Sequence, residues 1–145
     1  MSPFALVKRT IIAITILFLT STSVIAQSNS RYIKQTPGNQ SVIVFVHGIF
    51  GDSTTTWTNR NGTYWPELLK SDPFFDTYDA YVYEYPSRFF GSGFSIDEIS
   101  ENMRLIFDTD LITHYKDIIF VSHSMGGLVT RSYLNKNRTS QNMCD

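Results

Sequence analysis

One serine lies in a short stretch whose residue types and spacing could support nucleophilic chemistry. Ser124 follows an apolar run at residues 118–121 and precedes Gly126 and Gly127. A strand that runs through a sharp turn directly into a helix would present the Ser124 hydroxyl at the tip of the turn. Such a turn needs small residues two positions before and after the serine, because strand and helix approach closely there. Gly126 meets this need, and Ser122 stands where glycine is usual.

The start of the helix that follows Ser124 bears on the same chemistry. Free amides and the positive end of the helix dipole would stabilise an anion that forms beside the serine oxygen. The amide of Met125 is therefore one candidate oxyanion donor. A second donor is expected from the loop at residues 47–51, His-Gly-Ile-Phe-Gly, which follows an earlier apolar strand. Its two glycines allow the backbone to turn an amide inward, either that of Ile49 or that of Phe50.

Together these two segments carry a resemblance to a known family. HGIFGDS after one strand and SHSMGG after another resemble motifs of the α/β-hydrolase superfamily, in particular its serine esterase and lipase-like members, over residues 41–135. The resemblance implies that Ser124 is the nucleophile and that Met125 and Ile49 supply the oxyanion amides, and it implies no metal or cofactor. We call the strand-to-helix turn at Ser124 the elbow, and the loop at residues 47–51 the oxyanion loop. By position, the residues that would support these two segments are His47, Gly48, Gly51, Ser122, His123, Gly126 and Gly127.

Three histidines must be considered as a base for Ser124. His47 could act as the base, but the resemblance favours a structural role in which it holds the oxyanion loop. His123 adjoins the serine, and in so tight a turn its ring is expected to point away from the hydroxyl. His114 is predicted near the end of a long helix, where a cation suits the helix dipole, and away from the strand ends that would form the site.

In this fold the catalytic residues follow one another along the chain as serine, then an acid, then a histidine. The given sequence lacks suitable partners after its serine. After Ser124 the sequence has a single acid, Asp145, and no histidine. We therefore expect the catalytic acid and histidine to lie in a missing C-terminal half, and the chain alone to be inactive, because a serine without its base is a weak nucleophile. The alternative is a catalytically inactive truncated fragment, or a remnant that binds a lipid or a partner.

The elements that must position these residues alternate between apolar strands and helices. This order predicts an α/β fold with a parallel sheet and helices on both faces. Ser95 and Glu98 have the spacing of a capping box at the start of the longest helix. The last strand should present an open apolar edge. The predicted strands are 41–47, 80–85 and 117–122, and the predicted helices are 65–69, 95–115 and 125–135.

Aromatic residues between the two motifs leave two interpretations open. The tyrosine-rich strand at 80–85 and the loop at 88–94 could form an apolar wall or lid near an acyl pocket. They could equally form an edge of the core with a surface loop. Trp57, in the loop after the HGIFG segment, has the same two interpretations.

The N-terminus has the layout of a secretory signal peptide. Lys8 and Arg9 precede an apolar run at residues 10–20, and small residues follow at 24–26. The apolar run is shorter than the roughly 20 residues that cross a bilayer, so we expect no stable membrane span after cleavage. This predicts a secreted or periplasmic protein. The expected organisation is a signal peptide at 1–26, a linker at 27–40, the N-terminal half of an α/β-hydrolase domain at 41–136 and a polar tail at 137–145.

Composition narrows the class of partner. A net charge of −1 without basic clusters argues against nucleic-acid binding. The single cysteine, Cys144, cannot form a disulfide within the chain. The expected partner is a small-molecule or lipid ester that serves as the substrate.

Overall fold

A computed structural model describes residues 29–87 and 94–142 of the chain. The predicted signal peptide, residues 88–93 of the aromatic loop, and both Cys144 and Asp145 lie outside the described residues. The strands are β1 (Arg31–Lys34), β2 (Ser41–Val46), β3 (Tyr78–Tyr83) and β4 (Asp117–Ser122), and the α-helices are α1 (Trp65–Leu68), α2 (Ile96–Thr109) and α3 (Met125–Asn142). No helix in the described ranges is both long and apolar enough to cross a membrane.

The four strands form one mixed sheet in the order β1-β3-β2-β4. β2 lies at its centre and pairs in parallel with β3 and with β4, so that Ser41 is level with both Tyr78 and Asp117. β1 pairs antiparallel with β3. The prediction of a purely parallel sheet was therefore wrong at one edge, although the three strands predicted from the sequence are parallel to one another.

The antiparallel strand β1 lies inside the segment that was predicted to be a linker at 27–40. Tyr32 packs edge-on against Tyr81, with ring centroids 5.1 Å apart, and the hydroxyl of Ser30 accepts a hydrogen bond from the amide of Glu84 at 2.8 Å. β1 is a half-exposed edge strand, so polar side chains are acceptable along it. Its four residues therefore show no apolar run from which a strand could be predicted.

Helices cover both faces of the sheet, as the alternating order of elements predicted. On one face, Val42, Val44 and Val46 of β2 pack with residues of α2 and α3, including Met103 and Val129. The opposite face is covered by Trp57 and by the region of α1. Since successive side chains of a strand point to opposite faces, the continuous apolar run of β2 reflects burial on both sides.

The aromatic residues of the central strands belong to the core. Tyr81 and Tyr83 on β3, and Tyr85 just after it, are all buried. Trp57 is buried too and meets Phe45 edge-on at 5.2 Å. These contacts decide the open question for the tyrosine-rich strand and for Trp57 in favour of core packing.

Helix α2 begins as predicted but ends earlier than Tyr115. The Ser95 hydroxyl accepts from the Glu98 amide while the Glu98 carboxylate accepts from the Ser95 amide, which is a complete capping box. After Thr109 the chain turns through Leu111, which has a left-handed φ of 62°, into a short 3-10 turn at Ile112–His114. His114 therefore lies in this turn and not on the long helix.

Helix α3 continues to Asn142, beyond the predicted end at 135 and through most of the segment predicted as a polar tail. Lys136, Arg138 and Gln141 favour a helix in this stretch, although the asparagine, threonine and serine residues between them do not. Lys136 donates to the backbone carbonyl of Asp97 at the start of α2, at 2.9 Å, which ties the extended part of α3 to the fold.

The last strand, β4, stands at the edge of the sheet in this chain. It is less buried than β2 and β3, and Ile119 is 42% exposed. The described residues thus include an apolar sheet edge, as the sequence predicted.

Candidate active site

The turn between β4 and α3 is sharp and backbone-strained. β4 ends at Ser122 and α3 begins at Met125, so only two residues connect strand to helix. Ser124 has φ 52°, in the left-handed region. A non-glycine residue is uncommon there and costs of order 1–2 kcal/mol, which the surrounding contacts must offset. The Ser124 side chain is exposed.

Backbone hydrogen bonds hold this turn against the central strand. The amide of His123 donates to the carbonyl of Val46 at 3.0 Å. The amides of Gly126 and Gly127 donate to the carbonyls of His123 and Ser124, at 2.9 and 3.0 Å, and close the first turn of α3. The strained residue is therefore flanked on both sides by satisfied backbone groups.

Close contacts require a small residue two positions after Ser124. A Cβ on Gly126 would lie 2.4 Å from the carbonyl oxygens of both Val46 and His47, so the helix start rests directly on the end of β2. Ser122 occupies the other small position. Its hydroxyl forms a hydrogen bond with the Thr130 hydroxyl at 2.9 Å, which directs the side chain towards α3.

The loop after β2 touches the same turn. A Cβ on Gly48 would lie 2.8 Å from the Cβ of Ser124 and 2.9 Å from Nδ1 of His123. A Cβ on Gly51 would lie 2.2 Å from the hydroxyl oxygen of Thr56. A larger residue at Gly48 would therefore require the turn or the loop to shift, whereas a larger residue at Gly51 would first displace the Thr56 side chain.

The backbone amides of the loop separate the two alternatives for the second oxyanion donor. The amide of Phe50 donates to the carbonyl of Ser87 at 3.4 Å, and that of Gly51 donates to the carbonyl of Gly48 at 3.2 Å. Among the described residues, no backbone carbonyl accepts from the amide of Ile49 or of Met125. The geometry thus favours Ile49 over Phe50.

His47 is fully buried and engaged at both ring nitrogens. Its Nδ1 lies 3.0 Å from the carbonyl oxygen of Gly48, and its Nε2 accepts from the amide of Tyr85 at 3.3 Å. This pattern fits the neutral tautomer with the proton on Nδ1. Glu84 approaches Nε2 to 3.6 Å. With both nitrogens in use, the ring braces the oxyanion loop and offers no free nitrogen to Ser124.

The other two histidines supply no base within the described contacts. His114 precedes β4, whereas Ser124 follows it, and a six-residue strand spans roughly 20 Å. The ring of His123 lies beside Gly48. In the described part of the chain, no hydrogen bond joins a histidine to the Ser124 hydroxyl.

Comparison with known families bears on this arrangement of strand, loop and turn. The sequence model of the alpha/beta hydrolase family matches residues 43–138, which contain most of β2, all of β3 and β4, the loop at residues 47–51 and the turn at Ser124. The chain belongs to the alpha/beta hydrolase family. Most of the chain lies within the match, and members of this family are typically hydrolytic enzymes. No curated protein and no solved structure matches the chain significantly.

Sequence reasoning missed the segment of this alpha/beta hydrolase that follows β3. The Ser87 hydroxyl donates to the carbonyl of Gly51 at 2.7 Å, and the Glu84 carboxylate accepts from the amide of Ser53. Residues 84–87 thus brace the oxyanion loop from the side. The sequence could have indicated this contact, because residues 84–87 follow a strand that was predicted to be parallel to β2. Residues that follow neighbouring parallel strands meet at the same edge of the sheet.

An open cavity of about 860 Å³ lies beside the oxyanion loop. Residues 29–31, 51–55 and 84–87 line it, and Ser124 does not. Its charged groups include Asp52. Burial opposes the ionisation of this carboxyl, but hydrogen bonds from Thr55 and Thr54 outweigh it and hold the pKa of Asp52 below its ordinary value. No group of three or more potential metal ligands occurs among the described residues.

Proposed function

We propose that this chain belongs to an exported serine hydrolase that cleaves an ester or a related acyl bond, with Ser124 as the nucleophile. The observation that carries the proposal is the left-handed backbone of Ser124 at a strand-to-helix turn, with Gly48 of the oxyanion loop packed against it. The export part of the proposal rests on the N-terminal sequence alone.

The proposed reaction follows from the groups that surround Ser124. Its hydroxyl oxygen attacks the acyl carbonyl, and the resulting oxyanion accepts hydrogen bonds from the amides of Met125 and Ile49. Loss of one such donor typically costs about 3 kcal/mol of transition-state stabilisation. The alcohol then leaves, and water hydrolyses the acyl-enzyme to the free acid.

The proton of Ser124 needs a base that takes it up and returns it to the leaving alcohol. His47 is engaged at both nitrogens, and His114 is remote. No described hydrogen bond joins the adjacent His123 to the Ser124 hydroxyl, so the described contacts supply no such base. Full turnover therefore requires a base beyond these contacts, and in the serine–acid–histidine order of this fold that base is a histidine oriented by an acid. Exogenous imidazole can stand in for this group in a test.

Either a small-molecule ester or a lipid ester could serve as the substrate. Phe50 is 65% exposed and lies two residues from Gly48 on the oxyanion loop. An exposed aromatic ring at this place offers an apolar contact to an acyl chain. This supports an ester with an apolar acyl group.

The second candidate is a chain without catalytic activity, either an inactive fragment or a remnant that binds a lipid or a partner. The observation that favours it is the lack of a histidine base among the described residues. The two candidates differ in what they require of Ser124, because only the hydrolase needs its hydroxyl to react.

A fluorophosphonate probe, which reacts covalently with activated serines, separates the two candidates. The chain alone should label weakly, imidazole should accelerate labelling, and Ser124→Ala should abolish it. Ser132→Ala, whose hydroxyl bonds Ser100 and Asp97 of α2, serves as the matched control and should label like the wild type. Labelling that persists in Ser124→Ala, or its absence even with imidazole, would favour the non-catalytic candidate. Strong labelling without imidazole would contradict our expectation that the base lies elsewhere.

A further inference from the structure

Tyr85, just beyond β3, makes three separate contacts with His47. Its hydroxyl donates to the His47 backbone carbonyl at 2.8 Å, and its amide donates to Nε2 of the His47 ring at 3.3 Å. The two rings stack, with centroids 4.2 Å apart and planes inclined by 9°. Tyr85 is fully buried, so these contacts are shielded from water.

The carbonyl that Tyr85 holds is also the one on which α3 rests. The His47 oxygen lies 2.4 Å from the position that a Cβ on Gly126 would take. The Tyr85 hydroxyl and the first turn of α3 therefore both meet the same oxygen atom. Because a peptide unit is planar, fixing this carbonyl also fixes the amide of Gly48 on the other side of the bond.

Gly48 in turn is the residue that touches Ser124, and Ile49 follows it. An oxyanion donor acts only if it points at the place where the charge develops, which demands placement within about 0.5 Å. The His47–Gly48 peptide is thus the last rigid unit before the proposed donor. The Ile49 amide lies in the next peptide unit, beyond the φ and ψ of Gly48, and the carbonyl of that unit accepts from Nδ1 of His47 at 3.0 Å. Holding His47 in place therefore also holds the peptide unit that carries the Ile49 amide.

We propose that Tyr85 is a positioning residue whose hydroxyl, acting through the His47 carbonyl, sets the oxyanion loop and the Ile49 amide relative to Ser124. The part of this inference that concerns Ile49 rests on the proposed hydrolase function. The part that concerns the loop backbone stands on the contacts alone.

Tyr83 provides a matched control on the same strand. It is also fully buried, and its hydroxyl donates to a backbone carbonyl, that of Ile99, at 3.1 Å. This carbonyl lies in α2, away from the oxyanion loop. Tyr85→Phe and Tyr83→Phe therefore each remove one buried hydroxyl that donates to a carbonyl, but only one of these carbonyls belongs to the site.

The test measures amide hydrogen exchange and Ser124 labelling in the full chain and in both variants. Tyr85→Phe should speed the exchange of the hydrogen-bonded loop amides, those of Phe50 and Gly51, by roughly tenfold, as expected for the loss of one hydrogen bond. It should also slow fluorophosphonate labelling in the presence of imidazole by about tenfold, without changing the probe concentration at half-saturation. Tyr83→Phe should speed exchange in α2 and leave both the loop and the labelling rate unchanged.

Equal effects of the two variants on the loop amides would overturn the proposal and leave Tyr85 as an ordinary core residue. Equal slowing of labelling by both variants would overturn it as well. If the wild-type chain does not label at Ser124 at all, the proposed hydrolase function fails. The exchange of the loop amides then still decides whether Tyr85 positions the loop.

Discussion

Gly126 faces the carbonyl oxygen of His47 so closely that a Cβ at this position would lie 2.4 Å from that oxygen. Backbone atoms cannot yield to such a contact unless α3 moves away from the end of β2. The neighbouring Gly127 presents the opposite situation, because nothing lies within 4 Å of its Cβ position. The two adjacent glycines thus serve different purposes, and only the first is demanded by packing.

Alanine at these two positions should therefore change stability in opposite directions. Gly126→Ala should lower the free energy of unfolding by roughly 1–3 kcal/mol, because the helix start must shift. Gly127→Ala should raise it by about 0.5–1 kcal/mol, because alanine is the better residue in a helix. Urea unfolding of both variants measures the two changes. A loss in Gly127→Ala as large as in Gly126→Ala would show that the elbow is not packed in this way.

The buried tyrosines predict a loss of stability at alkaline pH. Burial raises the pKa values of Tyr81, Tyr83 and Tyr85 well above the ordinary 10.0. Above pH 10 the unfolded chain therefore binds fewer protons than the folded chain, and the free energy of unfolding falls as the pH rises. For three such groups the slope approaches about 4 kcal/mol per pH unit.

Urea unfolding at a series of pH values, followed together with tyrosinate absorbance, measures this slope. Tyr83→Phe is the informative variant, since removing one titrating group should reduce the slope by about 1.4 kcal/mol per pH unit. Titration of these tyrosines near pH 10 in the folded chain would contradict the burial of their hydroxyls.

The capping box of α2 supports a third prediction. Ser95→Ala should lower the free energy of unfolding by about 1 kcal/mol, because the Glu98 amide loses the hydroxyl that it contacts at 3.2 Å. Ser95→Thr keeps a capping hydroxyl and should behave nearly like the wild type. Equal losses in the two variants, measured by thermal unfolding, would show that the hydroxyl is not the stabilising group.

The same cap should weaken in acid. The hydrogen bond from the Ser95 amide lowers the pKa of Glu98 below its ordinary 4.5. The contribution of this carboxylate is therefore present above about pH 4.5 and is lost as the pH falls through the lower, folded-state value. Comparing Glu98→Gln with the wild type across this range should show a stability difference that disappears at low pH.

The sequence predicted correctly those secondary-structure features that depend only on residues close together in the chain. The apolar run at 41–46 and the capping box at Ser95 each depend on neighbouring residues, and the structure has both where they were expected. The end of α2 and strand β1 were missed for the opposite reason. The hydroxyl of Tyr81 bonds the carboxylate of Asp110 at the end of α2, and β1 exists through its pairing with β3.

For the candidate site, residue types and their spacing were enough to indicate which residues could take part. The small residues around Ser124 and the two glycines of the HGIFG loop could be recognised in the sequence, because a tight turn limits which residue types fit at neighbouring positions. Tertiary structure alone decided how they meet. The parallel register of β2 with β3 and β4 brings Gly48 against Ser124, engages Phe50 with Ser87, and places Tyr85 on the carbonyl of His47. These contacts join residues that are far apart in the chain, so they depend on strand order and register, which no local pattern contains.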